Sequence, residues 1–126
     1  MPGPWFESLA KPSWNPPNAV FGPVWTLLYI MIAIGGWLLW QNGRPRVALT
    51  LWGAQMILNA LWSWLFFGLK NPGLAFADII ALWIAILALT ITSWKTSRAA
   101  SAMFVPYLLW VSFAAALNFA IWRLNA

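Results

Sequence analysis

The sequence predicts an all-helical integral membrane protein, built as a bundle of four transmembrane helices. Hydrophobic residues make up 63% of the 126 residues and charged residues 7%, whereas about a quarter of an average soluble chain is charged. Long uncharged stretches recur along the chain, each close to the roughly 20 residues that a helix needs to cross a bilayer. Short segments rich in Asn, Gly, Pro and basic residues separate these stretches. The expected solvent is therefore a bilayer.

The proline and charge pattern divides the chain into two predicted parts. Residues 1–19 form a proline-rich segment at the membrane surface, because proline fixes φ and lacks the N–H that a regular helix needs. Residues 20–126 form the transmembrane domain. Its predicted spans are residues 20–40, 47–69, 74–94 and 100–122.

Prolines and glycines inside the spans predict how the helices bend and pack. Pro23 lies in the opening turns of the first span, so the helix either begins there or kinks. Pro106 interrupts the fourth span and frees the carbonyl of Ala102, which favours a bend. Gly35 and Gly36 thin the far half of the first span and allow a neighbouring helix to approach closely.

The net charge of +5 fits membrane topology better than nucleic-acid binding, and no nucleic-acid partner is expected. Two short polar gaps between spans, residues 41–46 and 94–99, lie on the same side of a four-span bundle. They carry Arg44, Arg46, Lys95 and Arg98. The other side carries three basic residues, and this small bias favours the cytoplasmic side for the two gaps.

The residue types present exclude several kinds of site. The chain has no cysteine and no histidine, which excludes disulfides and thiolate chemistry. Its two carboxylates cannot build an ordinary metal or haem-iron site, so no metal and no cofactor are expected. The sequence also lacks a visible base–nucleophile pair and a glycine-rich phosphate loop.

Three polar residues inside the spans are candidates for ligand binding. Gln55 and Asn59 lie four residues apart, on one face of the second span. Their alternative role is to hydrogen-bond neighbouring helices. Asp78 is the acid inside the third span, where such residues usually face the bundle interior and serve function. Its alternative role is to complement the positive end of a helix dipole near the Pro72-Gly73 boundary.

Six of the twelve tryptophans fall near span ends, where indoles form the ordinary aromatic belt: Trp5, Trp14, Trp37, Trp40, Trp94 and Trp122. Trp83 and Trp110 lie near the middle of their spans. Trp83 has no polar residue on its own turn and is expected to face lipid or core. Trp110 shares a helix face with Ala114 and Asn118, and the small Ala114 leaves space beside the ring. Trp110 is therefore the better ligand candidate.

Amides from the second span, a carboxyl from the third and an indole from the fourth predict one common cavity. A cavity lined by flat aromatic rings with a few convergent polar groups is typical of ligand pockets. The occupant that these residues suit is large, planar and mainly apolar.

Six motifs along the chain resemble the TspO/MBR family, the tryptophan-rich sensory proteins and translocator proteins also called peripheral-type benzodiazepine receptors. They are WFESLAKPSWNPP (residues 5–17), FGPVWTLLY (21–29), QMILNALW (55–62), AFAD (75–78), VPYLLW (105–110) and LNFAIWR (117–123). The resemblance covers essentially the whole chain, in order.

The resemblance implies a multi-pass membrane protein, often a homodimer, that binds porphyrins such as protoporphyrin IX. In some bacterial members it also implies light-dependent porphyrin breakdown, with Trp110 and Trp25 as the candidate photochemical residues. Carried over by motif, the ligand-binding residues are Trp25, Tyr29, Gln55, Asn59, Trp62, Asp78, Trp110, Ala114 and Leu117. Trp5, Phe6, Pro16 and Pro17 would form a lid over this pocket.

The family fold has five transmembrane helices, and the four predicted here resemble its helices 2–5. Two explanations are open. Either the start of the chain is truncated, or this is a four-span member whose pocket lacks one wall, which a second subunit would supply.

Overall fold

A computed structural model describes residues 9–14 and 18–125, with no statement for the side chains of residues 18 and 19. Within these residues the chain forms four α-helices and no β-strand. They are α1 (Asn18–Gln41), α2 (Arg46–Ser63), α3 (Pro72–Trp94) and α4 (Arg98–Leu124). The predicted lid residues Trp5, Phe6, Pro16 and Pro17 lie outside the described part of the chain.

Three of the described helices are long and apolar enough to cross a membrane by themselves: Val20–Gln41, Pro72–Trp94 and Arg98–Leu124. The second helix is shorter, because it ends at Ser63, and it carries the polar side chains of Gln55 and Asn59. The predicted span to residue 69 continues past α2 with a different helical turn. Residues Trp64–Gly68 form a π-helical turn, in which the Leu69 N–H donates to the Trp64 carbonyl at 2.8 Å.

Polar caps fix where α3 and α4 begin. Asn71 Oδ1 accepts a hydrogen bond from the Leu74 N–H at 3.1 Å, and Ser97 Oγ accepts one from the Ala100 N–H at 3.1 Å. Such caps satisfy N–H groups that a helix N-terminus leaves without a backbone partner. Neither Pro23 nor Pro106 ends its helix, since α1 and α4 continue through both residues.

The helices pack unevenly around the bundle. The α3–α4 and α2–α3 pairs pack extensively and the α1–α4 pair moderately, whereas α1 and α2 touch at few points. The order around the bundle is therefore α1, α4, α3, α2, with a gap between α1 and α2. Where these two helices do meet, Trp52 packs against Gly36 and its Nε1 donates to the Ile32 carbonyl at 3.0 Å.

Buried side chains form a column of three clusters along the bundle axis. Leu39, Ala48, Leu89, Ala100 and Phe104 close the end that carries the 42–45 and 95–97 loops. The central cluster contains Leu28, Ile32, Ile79, Leu82, Ile86, Tyr107, Val111 and Ala114. Phe66, Ala75, Leu117 and Ile121 form the third cluster, toward the opposite end. The candidate site lies between the second and third clusters.

Candidate ligand-binding cavity

A cavity of about 70 Å³ lies between α1, α2 and α4, inside a depression whose atom-free space is about 690 Å³ when its open mouth is included. Its walls are mainly aromatic. The lining residues are Phe21, Trp25, Tyr29, Asn59, Trp62, Ser63, Phe66, Phe67, Trp110, Ala114, Leu117, Asn118 and Ile121. Pockets for drug-sized ligands usually enclose about 300–1,000 Å³, so the cavity in this structure is a contracted one.

Helix α1 contributes one wall through residues spaced by four. Phe21, Trp25 and Tyr29 recur at i, i+4 and i+8, which places them on one helix face. The Trp25 ring lies at the centre of the aromatic wall, with its centroid 5.7 Å from that of Tyr29 and 6.3 Å from that of Trp62. Trp110 meets the Trp25 ring edge-on at 6.5 Å and an interplanar angle of 88°.

Helix α4 forms the opposite wall. The predicted stripe of Trp110, Ala114 and Asn118 lines the cavity, together with Leu117. The Trp110 Nε1 atom is buried, yet it finds no hydrogen-bond acceptor among the described residues. A buried N–H without a partner is destabilising by about 1–3 kcal/mol. Trp110 therefore holds an unused donor at the edge of the cavity.

A hydrogen-bonded chain of four side chains lies at the inner end of the cavity. The Tyr29 hydroxyl donates to Asn59 Oδ1 at 2.8 Å, and Asn59 Nδ2 donates to the Tyr107 hydroxyl oxygen at 2.7 Å. The Tyr107 hydroxyl in turn donates to Gln55 Oε1 at 2.8 Å. Because these groups come from α1, α2 and α4, the chain fixes the relative positions of three helices.

A second polar contact closes the cavity on the side of α3. Trp62 Nε1 donates to Asn118 Oδ1 at 2.9 Å, and Asn118 Nδ2 donates to the Pro72 carbonyl at 2.8 Å. The amide of Asn118 thus links α2, α4 and the first residue of α3. These bonds fix the position of Trp62, which lines the cavity.

The π-helical turn at the end of α2 adds two phenylalanines to the same wall. Phe66 and Phe67 both line the cavity although they are consecutive in sequence, and their ring centroids lie 4.9 Å apart. A π-turn advances each residue less around the helix axis than an α-turn does, because its hydrogen bonds close over five residues instead of four. Such turns are frequent at functional sites.

Seven of the nine predicted ligand-binding residues line the cavity in the described part of the chain, and two do not. Gln55 is fully buried behind Asn59, where its Nε2 donates to the Trp52 carbonyl at 2.8 Å. Asp78 is 8% exposed, and its Oδ2 has no hydrogen-bond partner. The structure therefore separates the carboxyl and one amide from the expected common cavity, and their contact with a ligand stays a prediction.

The described part of the N-terminal segment is attached to the cavity end of α4. The Ala10 N–H donates to Asn125 Oδ1 at 3.0 Å, and Asn125 Nδ2 donates back to the Ala10 carbonyl at 2.8 Å. Leu9 packs against the third cluster, and the Trp14 ring lies 5.6 Å from that of Phe113. These contacts hold residues 9–14 beside the aromatic wall.

Sequence reasoning missed Tyr107, Phe21 and Asn125. Tyr107 precedes Trp110 by three residues, so the helical period itself would have placed its hydroxyl on the predicted face. Phe21 precedes Trp25 by one helical turn, so the same reasoning would have placed it on the predicted face. Asn125 carries no comparable signal, because its partner is 115 residues away in the chain.

These observations define an all-helical integral membrane protein with an aromatic cavity between its helices. The sequence profile of the TspO/MBR family matches residues 1–123. The tryptophan-rich protein TspO of Archaeoglobus fulgidus is 48% identical over 125 residues, which cover 97% of this chain and 80% of that protein. Protein CrtK of Rhodobacter capsulatus is 39% identical over 128 residues, covering 98% and 80%. The translocator protein of Homo sapiens is 36% identical over 126 residues, covering 96% and 75%. The chain belongs to the TspO/MBR family.

Proposed function

We propose that this membrane protein binds porphyrins of the protoporphyrin IX type, and other planar hydrophobic ligands, in the cavity between α1, α2 and α4. The observation that carries the proposal is the buried Nε1 of Trp110, which has no partner among residues 9–14 and 18–125 and belongs to an aromatic wall. A planar ligand would stack on the rings of Trp25 and Trp62. Its carboxylate, carbonyl or ring-nitrogen acceptor would complete the hydrogen bonding of Trp110.

The size of the cavity determines how such a ligand would enter. About 70 Å³ is too little for a macrocycle, so binding requires the walls to separate. The α1–α2 boundary is the place of least packing, and Tyr29, which is 43% exposed, lies on its cavity side. Moving α1 away from α2 would widen the site while the extensively packed α2–α3 and α3–α4 pairs stay intact.

A titration of the purified protein with protoporphyrin IX in detergent, in darkness, tests the proposal through quenching of tryptophan fluorescence. We expect saturable quenching for the native chain. Ala114→Phe fills the cavity and is expected to lower the affinity at least tenfold. Ala116→Phe, on the exposed face of the same helix, is the matched control and is expected to bind normally.

Two results would contradict porphyrin binding at this site. Quenching that rises linearly with porphyrin, without saturation, would favour a structural or partner-binding bundle whose tryptophans anchor it in lipid. Equal affinities for Ala114→Phe and Ala116→Phe would place the ligand elsewhere on the protein.

A second candidate function is light-dependent loss of the bound porphyrin, assisted by indole rings. The contact of Trp25 with Trp110, whose ring centroids lie 6.5 Å apart on the cavity wall, favours this candidate. Trp110→Phe is expected to keep binding largely intact and to stop porphyrin loss under illumination. Equal porphyrin loss in the variant and the native chain, or in lit and dark samples, would exclude it.

We also propose that the chain forms a homodimer, in which a second copy covers part of the α1–α2 gap. Large apolar side chains are exposed on both helices, with Ile30 of α1 53% exposed and Ile57 of α2 70% exposed. Light scattering of the detergent-solubilised protein is expected to give twice the mass of one chain. A monomeric mass at every concentration tested would contradict the dimer.

A further inference from the structure

The bundle end that carries the 42–45 and 95–97 loops has a concentration of positive charge, with no neighbouring acid in the part of the chain that the structure describes. Arg44, Arg46, Lys95 and Arg98 are all exposed there. Asp78 is the one acidic side chain in the described part of the chain, 17 positions before Lys95. At about 1.5 Å per residue, roughly 25 Å of helix separates the two. The positive charge at this end is therefore available to an external anion.

Two of these cations lie over indole rings, since the Arg44 guanidinium carbon is 4.2 Å from the ring centroid of Trp40. The Arg98 guanidinium carbon lies 5.0 Å from the ring centroid of Trp94, which is 53% exposed. Arg98 is also the first residue of α4, where the helix dipole adds partial positive charge. A tryptophan paired with a basic residue at a helix end is the arrangement expected at the headgroup level of a bilayer.

An open groove of about 500 Å³ lies between α3 and α4, and Trp94, the indole that Arg98 contacts, is one of its lining residues. Its lining residues are Thr90, Ile91, Trp94, Ser101, Ala102 and Val105. The hydroxyl groups of the lining are satisfied within the protein, since Ser101 Oγ donates to the Thr90 carbonyl at 2.7 Å and Thr90 Oγ1 donates to the Ile86 carbonyl at 2.8 Å. The groove therefore presents a mainly apolar wall to its occupant.

We propose that this groove and the adjacent cations form a binding site for one phospholipid with an anionic headgroup. The phosphate lies between Arg98 and Lys95, the Trp94 ring packs at the level of the glycerol, and one acyl chain occupies the groove over Ala102. The cations and the apolar groove together determine the class of ligand. A free phosphate would not need the apolar groove, and the choline cation of a zwitterionic lipid would offset the attraction of its phosphate to the two cations. The site is separate from the aromatic cavity, with which it shares no lining residue.

Native mass spectrometry of the full chain in detergent, titrated with palmitoyl-oleoyl phosphatidylglycerol or palmitoyl-oleoyl phosphatidylcholine, tests the proposal. The native chain is expected to bind the anionic lipid more tightly. Lys95→Gln and Arg98→Gln are each expected to weaken this binding roughly fivefold and to leave phosphatidylcholine binding unchanged. Ala102→Phe blocks the groove and is expected to weaken the binding of both lipids.

Matched variants separate the site from general effects of charge and bulk. Lys70→Gln with Arg123→Gln removes two exposed cations at the opposite end, and Ala116→Phe adds the same bulk to another exposed face of α4. Both are expected to behave like the native chain. Equal affinity for the two lipids, equal losses in the matched variants, or competition by glycerol 3-phosphate alone would each overturn the proposal. If Ala102→Phe binds lipid as tightly as the native chain, this would overturn the proposal as well, whether or not the variant changes its oligomeric state.

Discussion

At the scale of single residues, the Tyr107 hydroxyl makes two hydrogen bonds in the core. It is fully buried, accepts from Asn59 Nδ2 and donates to Gln55 Oε1, so two amides of α2 depend on one atom of α4. In a membrane interior no water is present to replace a lost partner. The amides that the sequence marked as ligand candidates therefore also serve as interhelical hydrogen-bonding groups.

Tyr107→Phe is expected to lower the free energy of unfolding by about 1–3 kcal/mol, because it leaves two buried polar groups without partners. Tyr29→Phe is the matched control. Its hydroxyl makes one bond and is partly exposed, so a loss of about 0.6 kcal/mol is expected, near the average for hydrogen bonds within membranes. Unfolding by dodecyl sulfate in mixed micelles, followed by circular dichroism, measures both. Equal losses would contradict the role of Tyr107 as the shared partner.

A substitution at Asp78 is expected to raise the free energy of unfolding instead of lowering it. A carboxylate in an apolar interior is destabilising unless it is paired, and Asp78 Oδ2 has no hydrogen-bond partner among the described residues. Asp78→Asn keeps the shape and removes the negative charge, so the same unfolding measurement is expected to show a more stable protein. A less stable variant would show that the charge is needed, for example near the start of α3. Porphyrin titration of this variant tests the predicted ligand contact independently.

At the scale of helices, small residues set how closely neighbours approach. A Cβ atom added at Gly35 would lie 2.6 Å from two atoms of the Phe104 ring, and one added at Gly36 would lie 2.8 Å from the Trp52 ring. Phe104 is fully buried, so its ring cannot turn outward to relieve the contact without disturbing other buried side chains. The close contact that the sequence predicted for this glycine pair is thus made with α4 on one side and α2 on the other.

Gly35→Ala is expected to destabilise the protein by about 1–3 kcal/mol, as overpacked cores generally do. Gly53→Ala is the matched control on α2, where an added Cβ meets nothing within 4 Å. Alanine there is expected to stabilise by about 0.5–1 kcal/mol, through helix propensity alone. Thermal unfolding in detergent distinguishes the two, and changes of the same sign would contradict the packing interpretation.

At the scale of the whole molecule, packing density divides the bundle into a firm part and a movable boundary. The firm part is α3 with α2 and α4, and the movable boundary lies between α1 and α2. The candidate cavity borders that boundary, since Tyr29 comes from α1 and Asn59 from α2. The proposed porphyrin is larger than the cavity, and the boundary between α1 and α2 is weakly packed. Both facts indicate the same motion, a separation of α1 from α2.

Spin labels measure this motion directly, because the chain has no native cysteine. Labels at Ile30→Cys and Ile57→Cys, exposed on α1 and α2, are expected to move apart by several ångströms when protoporphyrin IX binds. Labels at Ile84→Cys and Leu109→Cys, exposed on α3 and α4, form the reference pair and are expected to keep their distance. An unchanged α1–α2 distance in the porphyrin-saturated protein would contradict opening at this boundary.

Local features of the chain were sufficient to predict much of the site. The helical period alone grouped Trp110, Ala114 and Asn118 on one face, and the structure places all three on the cavity wall. The motif resemblance added Trp25, Tyr29, Trp62 and Leu117, which also line it. The same cavity was also predicted to include Gln55 and Asp78, and neither lines it. The face that a residue occupies on its own helix does not tell how that helix is rotated against its neighbours.

The sequence by itself determined the bilayer as solvent, the four helices and the stripes of residues that turn inward. All of these follow from composition and from short-range backbone geometry. Only the tertiary structure decided the π-turn that brings Phe66 and Phe67 together, the shared hydroxyl of Tyr107, the open α1–α2 boundary and the contracted cavity. Those features depend on distances between helices, which are set by the simultaneous packing of side chains far apart in the chain.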